Sequence, residues 1–303
     1  MGGKLSVVKD SIVLFDMDGT LTEARKKASW EMVRPLKELS QFADIGIVTG
    51  SPMSYLMQQC KMLWSEIGSV SPLDILLMPC NGTQFHRWSM ESRDWYDVES
   101  TDMRSHIGTN AYRTIVREIF AIQSYYCDVN QSMPLTGNFI SDRRSMINWS
   151  PVGRDADDND RQLFVKHDND NLCRVKLKES LEFALSTSDV KGVQDIVCTL
   201  GGHTSIDIYP KGWDKTYALR HLDSYDKIYF VGDKCDGLGN DKTIYDALQA
   251  DNRSFIGLPS ASVGISALPF GVTSRTKKPV PRKSLTKLSR NLLVERTEIK
   301  TKF

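Results

Sequence analysis

The stretch SIVLFDMDGTLTEAR (Ser11–Arg25) carries the strongest structural signal in this sequence of 303 residues. Ser11–Phe15 is a short apolar run that is typical of a fully buried strand, and it ends abruptly at two acids and a glycine. Asp16 and Asp18 stand directly after that strand. A calcium loop of the EF-hand type needs further oxygen ligands and a glutamate at its twelfth position, which this stretch lacks. The pattern therefore predicts a site at the end of a buried strand.

Two more apolar segments of this kind end in polar residues. Asp44–Ser51 repeats the strand pattern and finishes in the triplet Thr49, Gly50 and Ser51, and Lys227–Asp233 finishes in an aspartate. A helical pattern over Glu31–Phe42 separates the first two strands, so their order predicts a parallel βαβ unit. Ligands of doubly wound sheets collect beyond the carboxyl ends of the strands. We therefore expect these strand ends, with Asp233, to meet in one crevice.

The middle of the chain has a different pattern. Polar and apolar residues alternate in Gly137–Asp142, Arg143–Pro151 and His203–Pro210, which is typical of antiparallel strands with one wet face. Helical patterns lie between them at Ala111–Ile122 and Arg174–Leu185. An α+β block inside a parallel α/β pattern predicts one domain inserted into another.

This change of pattern gives the domain boundaries. Residues 1–86 and 212–272 are predicted to form a discontinuous, Rossmann-like α/β core, and residues 87–211 an inserted α+β cap with an antiparallel sheet plus helices. The remaining residues, 273–303, are rich in Lys and Arg and are expected to be a poorly ordered basic tail. The alternative is that the tail binds nucleic acid, an acidic protein or anionic lipid.

Composition argues against several classes of protein. The chain is 40% hydrophobic and 25% charged with a formal net charge of +1, so nothing global indicates a nucleic-acid or membrane partner. No apolar stretch approaches the roughly 20 residues of a membrane span, and we see no secretory signal. The six cysteines are scattered, which argues against a disulfide framework or a zinc site. We expect reduced thiols in a cytoplasmic protein.

Two carboxylates this close suit phosphoryl transfer. Asp16 could attack phosphorus and form an aspartyl-phosphate, which splits one difficult transfer into two easier ones. Asp18 could donate and accept the proton of a sugar oxygen. Their mutual repulsion, and that of an incoming phosphate, calls for a cation, and Mg²⁺ fits because it prefers hard oxygen ligands.

Three arginines, at positions 143, 154 and 161, bracket a predicted strand and the loop after it. The planar guanidinium fork binds phosphate oxygens bidentately and keeps its charge, so the group would suit a phosphate ligand. The alternative for any one of them is a surface salt bridge to the acidic run at 155–160. Further on, strand alternation puts Ser205 and Asp207 on one face, where they could bind sugar hydroxyls or form an ordinary solvated face.

The chain resembles the haloacid dehalogenase (HAD) phosphotransferase superfamily in ordered motifs: DMDGTLT, TGS, Lys215 and GDK…GND. The resemblance implies that Asp16 is the nucleophile and Asp18 the general acid/base. It implies a phosphoryl-binding set of Thr49, Gly50, Ser51 and Lys215. It also implies that Mg²⁺ is bound by Asp16, Asp18 and Asp233.

Two cap segments resemble eukaryotic-type phosphomannomutases more narrowly: RRSMINWSPVGR, with another arginine seven residues on, and SIDIYPKGWDK. This resemblance covers the chain up to about Pro269 and implies that a hexose phosphate is contacted by Arg25, Arg143, Arg154, Arg161, Ser205 and Asp207. It implies interconversion of mannose 6-phosphate and mannose 1-phosphate for GDP-mannose supply. A hexose 1,6-bisphosphate would be intermediate and activator, and the caps would pair in a homodimer.

Departures from the family pattern leave the sugar preference open. Ser145 replaces a usual glycine, Cys80 a glutamate and Cys235 a threonine. The second cation loop after Asp241 is not reproduced, so one Mg²⁺ is predicted. The alternatives are a phosphoglucomutase, a capped sugar-phosphate phosphatase, and a non-catalytic protein that acts through its basic tail. The arginines favour a mutase over a phosphatase, and the intact acids and Lys215 argue against a non-catalytic protein.

Overall fold

The computed structural model describes residues 10–63, 75–237, 239–251 and 257–259. The predicted basic tail, residues 273–303, lies outside this range, as do the last residues assigned to the core. Within the range, no helix is both long enough and apolar enough to span a bilayer.

The core is a seven-stranded sheet in the order β11-β10-β1-β2-β3-β4-β5. Its parallel strands are β1 (Ser11–Phe15), β2 (Asp44–Val48), β3 (Ile75–Met78), β10 (Lys227–Gly232) and β11 (Gly257–Pro259). In the described part of the core, three α-helices accompany them: α1 (Trp30–Leu39), α2 (Met53–Lys61) and α7 (Lys242–Ala250). The predicted strands and the βαβ unit are confirmed.

β1 is buried on both faces, which explains why its sequence is continuously apolar. Val13 and Phe15 pack into a cluster with side chains of α1 and α2. Ile12 and Leu14 point the other way, into a cluster that includes Ile244 of α7. With β10 on one side and β2 on the other, the end of β1 lies at the centre of the sheet edge. The residues that follow β1 therefore begin in the middle of the crevice.

The insert begins later along the chain than the sequence pattern indicated. Arg87, its predicted first residue, lies inside β4 (Gln84–Ser89), which pairs with β5 (Asp94–Ser100) as an antiparallel hairpin. β4 also pairs with β3, so the hairpin extends the core sheet rather than the cap. β5 carries many exposed residues because it forms the edge of the sheet, and the polar composition of both strands resembles that of the cap strands.

The cap is a four-stranded antiparallel sheet in the order β6-β7-β9-β8 with helices packed on one face. Its strands are β6 (Ile140–Asp142), β7 (Ile147–Trp149), β8 (Ile196–Gly201) and β9 (Ser205–Pro210). Its helices are α3 (Met103–Ile107), α4 (Thr109–Val129), α5 (Asp158–Asn171) and α6 (Cys173–Ser186). The predicted antiparallel sheet and the helices at α4 and α6 are confirmed.

One face of the cap sheet forms the cap core, where Trp149, Ile206 and Ile208 are fully buried among side chains of α4 and α6. The other face carries Asn148 and Asp207 toward the core domain. Both of these polar residues are also buried. The sequence pattern predicts that this face is exposed to solvent, but it is covered because the core domain packs over it.

Candidate active site

A cavity of about 460 Å³ lies between the strand ends of the core and the polar face of the cap sheet. All of the predicted site residues line it except Lys215, which is fully buried behind it. The lining members of that set are Asp16, Asp18, Arg25, Thr49, Gly50, Ser51, Arg143, Arg154, Arg161, Ser205, Asp207 and Asp233. Residues far apart in sequence thus meet in one space. We call the group around Lys215 (Asp16, Asp233 and Asp241) the acidic end, and the group of Arg25, Arg143, Arg154 and Arg161 the arginine end.

Lys215 holds the acidic end together from behind. It opens a 3-10 helix (Lys215–His221), and its Nζ contacts carboxylate oxygens of both Asp16 and Asp241. Burial acts to lower the pKa of Lys215, but the two carboxylates outweigh it and the net direction is upward. Lys215 is therefore a charged ammonium at neutral pH. Burial raises the pKa of Asp16 well above its usual value, and the Lys215 ammonium opposes that rise.

A group of carboxylates at this end can hold a metal ion. One oxygen each from Asp16, Asp233 and Asp241 lies within 4.8 Å of the others. Oδ1 of Asp233 is buried and has no hydrogen-bond partner among the described residues, which is costly unless a cation faces it. Burial raises the pKa of Asp233 to about 6, with Lys234 opposing and Asp241 adding to the rise. Such a group of hard oxygen ligands fits Mg²⁺.

Asp18, which the resemblance implied as a metal ligand, lies outside this trio. Its Oδ1 accepts a hydrogen bond from the Arg25 backbone N–H at 2.8 Å, and its Oδ2 is 3.5 Å from the Ser51 hydroxyl. Gln59 of α2 also reaches Asp18, since its amide nitrogen lies 3.2 Å from Oδ1 in the orientation that satisfies its neighbours. These contacts hold the carboxylate toward the cavity, next to the end of β1.

Glycine is required at position 19, directly after Asp18, where the chain turns into the loop that leads to Arg25. Its φ of +93° is in the left-handed region, and a Cβ there would overlap the carboxylate of Asp233. The chain can therefore turn back over the strand ends only because this residue lacks a side chain. The turn also brings Arg25 to the cavity.

A continuous series of polar contacts surrounds the other end of the cavity. Arg154 donates to the Tyr55 hydroxyl at 2.8 Å and contacts Oδ1 of Asn148. Asn148 in turn donates to Asp207 at 2.6 Å. Asp207 lies 3.9 Å from the Arg143 guanidinium, which donates to the carbonyl oxygen of Gly50 at 2.5 Å. We call these six residues the polar ring; it starts and ends on the core and passes through the cap.

The arginine end carries positive charge that nearby acids only partly balance. Burial lowers the pKa of Arg143, and burial together with Arg25 and Arg154 lowers the pKa of Arg161. Nε of Arg143 is buried without a hydrogen-bond partner in the described part of the chain. Arg161 donates to the Thr204 hydroxyl at 3.2 Å. An anionic group would relieve both the mutual repulsion and the missing hydrogen bond.

Ser205 and Asp207 share the strand face as the alternation predicted, but their environments differ. The Ser205 hydroxyl donates to the carbonyl of Gly201 at 2.9 Å. Asp207 is held by the polar ring, and a Cβ at Gly201 would overlap its carboxylate. Their proposed contact with sugar hydroxyls stays a prediction.

The cap is closed on the core in this structure. Lys234, in the loop after β10, donates to the carbonyl of Gly202 in the cap at 3.2 Å. Thr83 of the core donates to Ser145 of the cap at 2.6 Å, and both hydroxyls are buried. The serine that departs from the family pattern thus joins the two domains. Closure shields the acidic end from bulk water.

Sequence reasoning missed three residues that the structure brings into the site. Asp241 closes the GDK…GND motif, so the motif itself was the signal that could have assigned it to the acidic end. Asn148 lies beside the predicted arginines within a quoted cap segment. Tyr55 has no sequence signal of this kind, because it is one residue in an ordinary helix.

The comparisons of this sequence with known protein families and with individual proteins indicate the same family. The model of the eukaryotic phosphomannomutase family matches residues 32–257. A phosphomannomutase of Arabidopsis thaliana is 31% identical, covering 78% of this chain and 87% of that protein. A phosphomannomutase of Schizosaccharomyces pombe is 32% identical, covering 78% and 85%.

Among solved structures, N-terminally truncated, IMP-bound IMP-nucleotidase of Plasmodium falciparum is similar with a TM-score of 0.50 and 13% identity, covering 83% of this chain and 65% of that one. At this identity the likeness concerns the fold alone. Together with the two sheets described above, it confirms the predicted class, an α/β core with an inserted α+β cap.

Proposed function

The chain belongs to the eukaryotic phosphomannomutase family, and we propose that it interconverts mannose 6-phosphate and mannose 1-phosphate for GDP-mannose supply. The observation that carries the proposal is a single cavity with an acidic, lysine-backed end and an arginine end. A mutase binds a hexose 1,6-bisphosphate between its two transfers, so it must hold a reacting phosphate and an idle one at once. A cavity with two unlike ends suits that task.

The side chains at the acidic end support the following chemistry. Asp16, phosphorylated by the activating bisphosphate, gives its phosphoryl group to a hydroxyl of the hexose phosphate while Asp18 accepts the hydroxyl proton. The bisphosphate then turns over in the closed cavity. Asp16 attacks the other phosphorus, and Asp18 returns the proton to the departing sugar oxygen. Lys215 keeps its charge beside Asp16 throughout, which favours the anionic carboxylate as the nucleophile.

Mg²⁺ is the proposed cofactor, held by Asp16, Asp233 and Asp241. The unpaired, buried oxygen of Asp233 supports this assignment. When bound, the ion supplies positive charge that offsets the repulsion between these carboxylates and an incoming phosphate. Asp18 is proposed as acid/base only, because its oxygens are engaged by Arg25 and Ser51.

The arginine end is proposed to bind the idle phosphate. Arg25, Arg143, Arg154 and Arg161 line it, and guanidinium groups bind phosphate oxygens bidentately. A phosphatase has no need to hold a distal phosphate in two orientations, so this end favours the mutase. The cross-domain contacts that close the cap also support it, since water would otherwise hydrolyse the aspartyl-phosphate.

The test is incubation with mannose 6-phosphate, Mg²⁺ and a catalytic amount of hexose 1,6-bisphosphate, with mannose 1-phosphate and free phosphate followed together. The expected result is mannose 1-phosphate formed much faster than phosphate, and only with both additions. Release of phosphate without mannose 1-phosphate would favour the capped phosphatase. Faster conversion of glucose phosphates would favour the phosphoglucomutase, and no turnover of either sugar would favour the non-catalytic protein.

Two assembly and location proposals accompany this function. A homodimer through the caps and a cytoplasmic location are both carried over from the family resemblance and the thiol composition. Light scattering on the purified full chain tests the first: a mass near 34.3 kDa, that of one chain, would contradict it.

A further inference from the structure

Tyr55 is a core side chain that lies, with Arg25, at the arginine end of the cavity. It lies near the start of α2, is half-buried, and lines the cavity. The guanidinium carbon of Arg154 is 5.3 Å from the centroid of its ring, a cation–π distance. The same guanidinium donates to the phenol oxygen at 2.8 Å. Tyr55 is thus fixed in both ring position and hydroxyl position by a cap residue.

Among the described residues, no group accepts the proton of the Tyr55 hydroxyl. In this part of the chain, the Tyr55 oxygen is hydrogen-bonded by the guanidinium groups of Arg154 and Arg25. A guanidinium can only donate, so the phenol oxygen accepts from both. The hydroxyl hydrogen is then available for an acceptor in the cavity.

Charge strengthens this donor. Burial acts to raise the pKa of Tyr55, but the hydrogen bonds and charges of Arg154 and Arg25 outweigh it, and the net pKa is lowered. A more acidic phenol is a stronger hydrogen-bond donor. The surroundings are cationic, so the acceptor that fits best is an anionic oxygen rather than a neutral sugar hydroxyl.

We propose that the Tyr55 hydroxyl donates a hydrogen bond to an oxygen of the idle phosphate of a bound hexose phosphate. This adds Tyr55 to a phosphate-binding surface built from Arg25 of the core and the three cap arginines. It rests on the proposed function for the identity of the ligand. Since Tyr55 is on the core and Arg154 on the cap, one phosphate would be bound from both domains, and its binding would stabilise the closed state.

The test compares Tyr55→Phe with the wild type. Phenylalanine keeps the ring beneath Arg154 and removes only the oxygen. In calorimetry with Mg²⁺ and no bisphosphate activator, unphosphorylated enzyme binds mannose 6-phosphate without turnover. We expect the Kd of the variant to rise about tenfold, which corresponds to about 1.4 kcal/mol. KM should rise by a similar factor, and the ligand-free Tm should not change.

Tyr112→Phe is the matched control. The ring of Tyr112 also lies beneath an arginine, with the Arg104 guanidinium carbon 4.5 Å from its centroid, but it is in the cap and outside the cavity lining. Its Kd for mannose 6-phosphate should equal that of the wild type.

The outcomes separate this proposal from the proposed function. If the wild type turns over mannose 6-phosphate while Tyr55→Phe keeps the wild-type Kd and KM, the Tyr55 proposal is overturned and the mutase stands. A lower ligand-free Tm with an unchanged Kd would also overturn it, because the role would then be structural. If the wild type binds mannose 6-phosphate but forms no mannose 1-phosphate with activator, the mutase fails, and a tenfold weaker Kd of the variant still supports the contact.

Discussion

Replacing Lys215 by methionine tests whether the acidic end of the cavity depends on one buried ammonium. Lys215 is 0% exposed and contacts both Asp16 and Asp241, of which Asp241 is also 0% exposed. Methionine fills similar space without charge, so Lys215→Met leaves two carboxylates buried without their cation. Removing one partner of a buried ion pair costs about 3–5 kcal/mol. We expect the free energy of unfolding at pH 7, measured by urea denaturation in EDTA, to fall by that amount.

The loss of stability in Lys215→Met should also depend on pH, in a direction that follows from the pKa of Asp16. Burial already raises the pKa of Asp16, and loss of the opposing ammonium raises it further, so the folded variant binds more protons than the folded wild type as the pH rises. The unfolded chain releases that proton near the usual value of 3.8. Stability falls as pH rises wherever the folded state binds more protons. The gap between variant and wild type should therefore widen from pH 5 to pH 7, by up to about 1.4 kcal/mol per pH unit.

Lys242→Met is the matched control, because Lys242 also pairs with an aspartate but its side chain is 42% exposed. An exposed pair of this kind contributes below about 0.5 kcal/mol, so the control should remain near the wild type at both pH values. Lys215→Met within about 1 kcal/mol of the wild type, or a gap that narrows as pH rises, would refute the assignment of Lys215 as the buried counter-ion.

Other changes test the remaining parts of the site. Asp16→Asn should abolish turnover and the aspartyl-phosphate adduct of about 80 Da, one added HPO₃, in intact-protein mass spectrometry; an adduct that persists would refute the nucleophile. Asp241→Asn should raise the Mg²⁺ concentration needed for half-maximal activity at least tenfold, while Asp246→Asn, outside the acidic trio, should leave it unchanged. Arg161→Ala should raise KM by about thirtyfold, roughly 2 kcal/mol for a charged hydrogen bond, and increase phosphate release relative to mutase product; unchanged kinetics would contradict the role of the arginine end.

The acidic end could be predicted from sequence because its determinants are local. A buried strand is recognisable from a run of five residues, and the acids follow it directly. The parallel order of the strands then requires their ends to meet. Asp241 could not be predicted in this way because it follows a loop rather than a strand, and its partner Lys215 is 26 residues away along the chain. Only folding reveals that the two side chains meet.

The polar helix α5 and the hairpin β4–β5 show a second limit of what local sequence patterns can predict. The sequence pattern predicts a loop for the acidic run after Arg154, but Asp157 accepts a hydrogen bond from the backbone N–H of Asp160 at 2.9 Å and caps α5. The helix has only a few buried side chains, so its apolar periodicity is weak. In the hairpin β4–β5, the outer strand β5 is largely exposed, and its polar sequence resembles that of the cap strands. The assignment of the hairpin to the core depends on a pairing with β3 that no local pattern encodes.

The polar ring links phosphate binding to water exclusion. Arg143 and Arg154 line the arginine end, and the same two side chains bind Gly50 and Tyr55 of the core. An idle phosphate that neutralises these arginines therefore acts on the groups that hold the cap closed. Repulsion among the guanidinium groups of an empty arginine end opposes closure, so we expect an aspartyl-phosphate to be more accessible to water when no phosphate is bound there. The ratio of mutase turnover to hydrolysis should thus depend on phosphate occupancy at the arginine end, because that occupancy determines how long water is excluded from the acidic end.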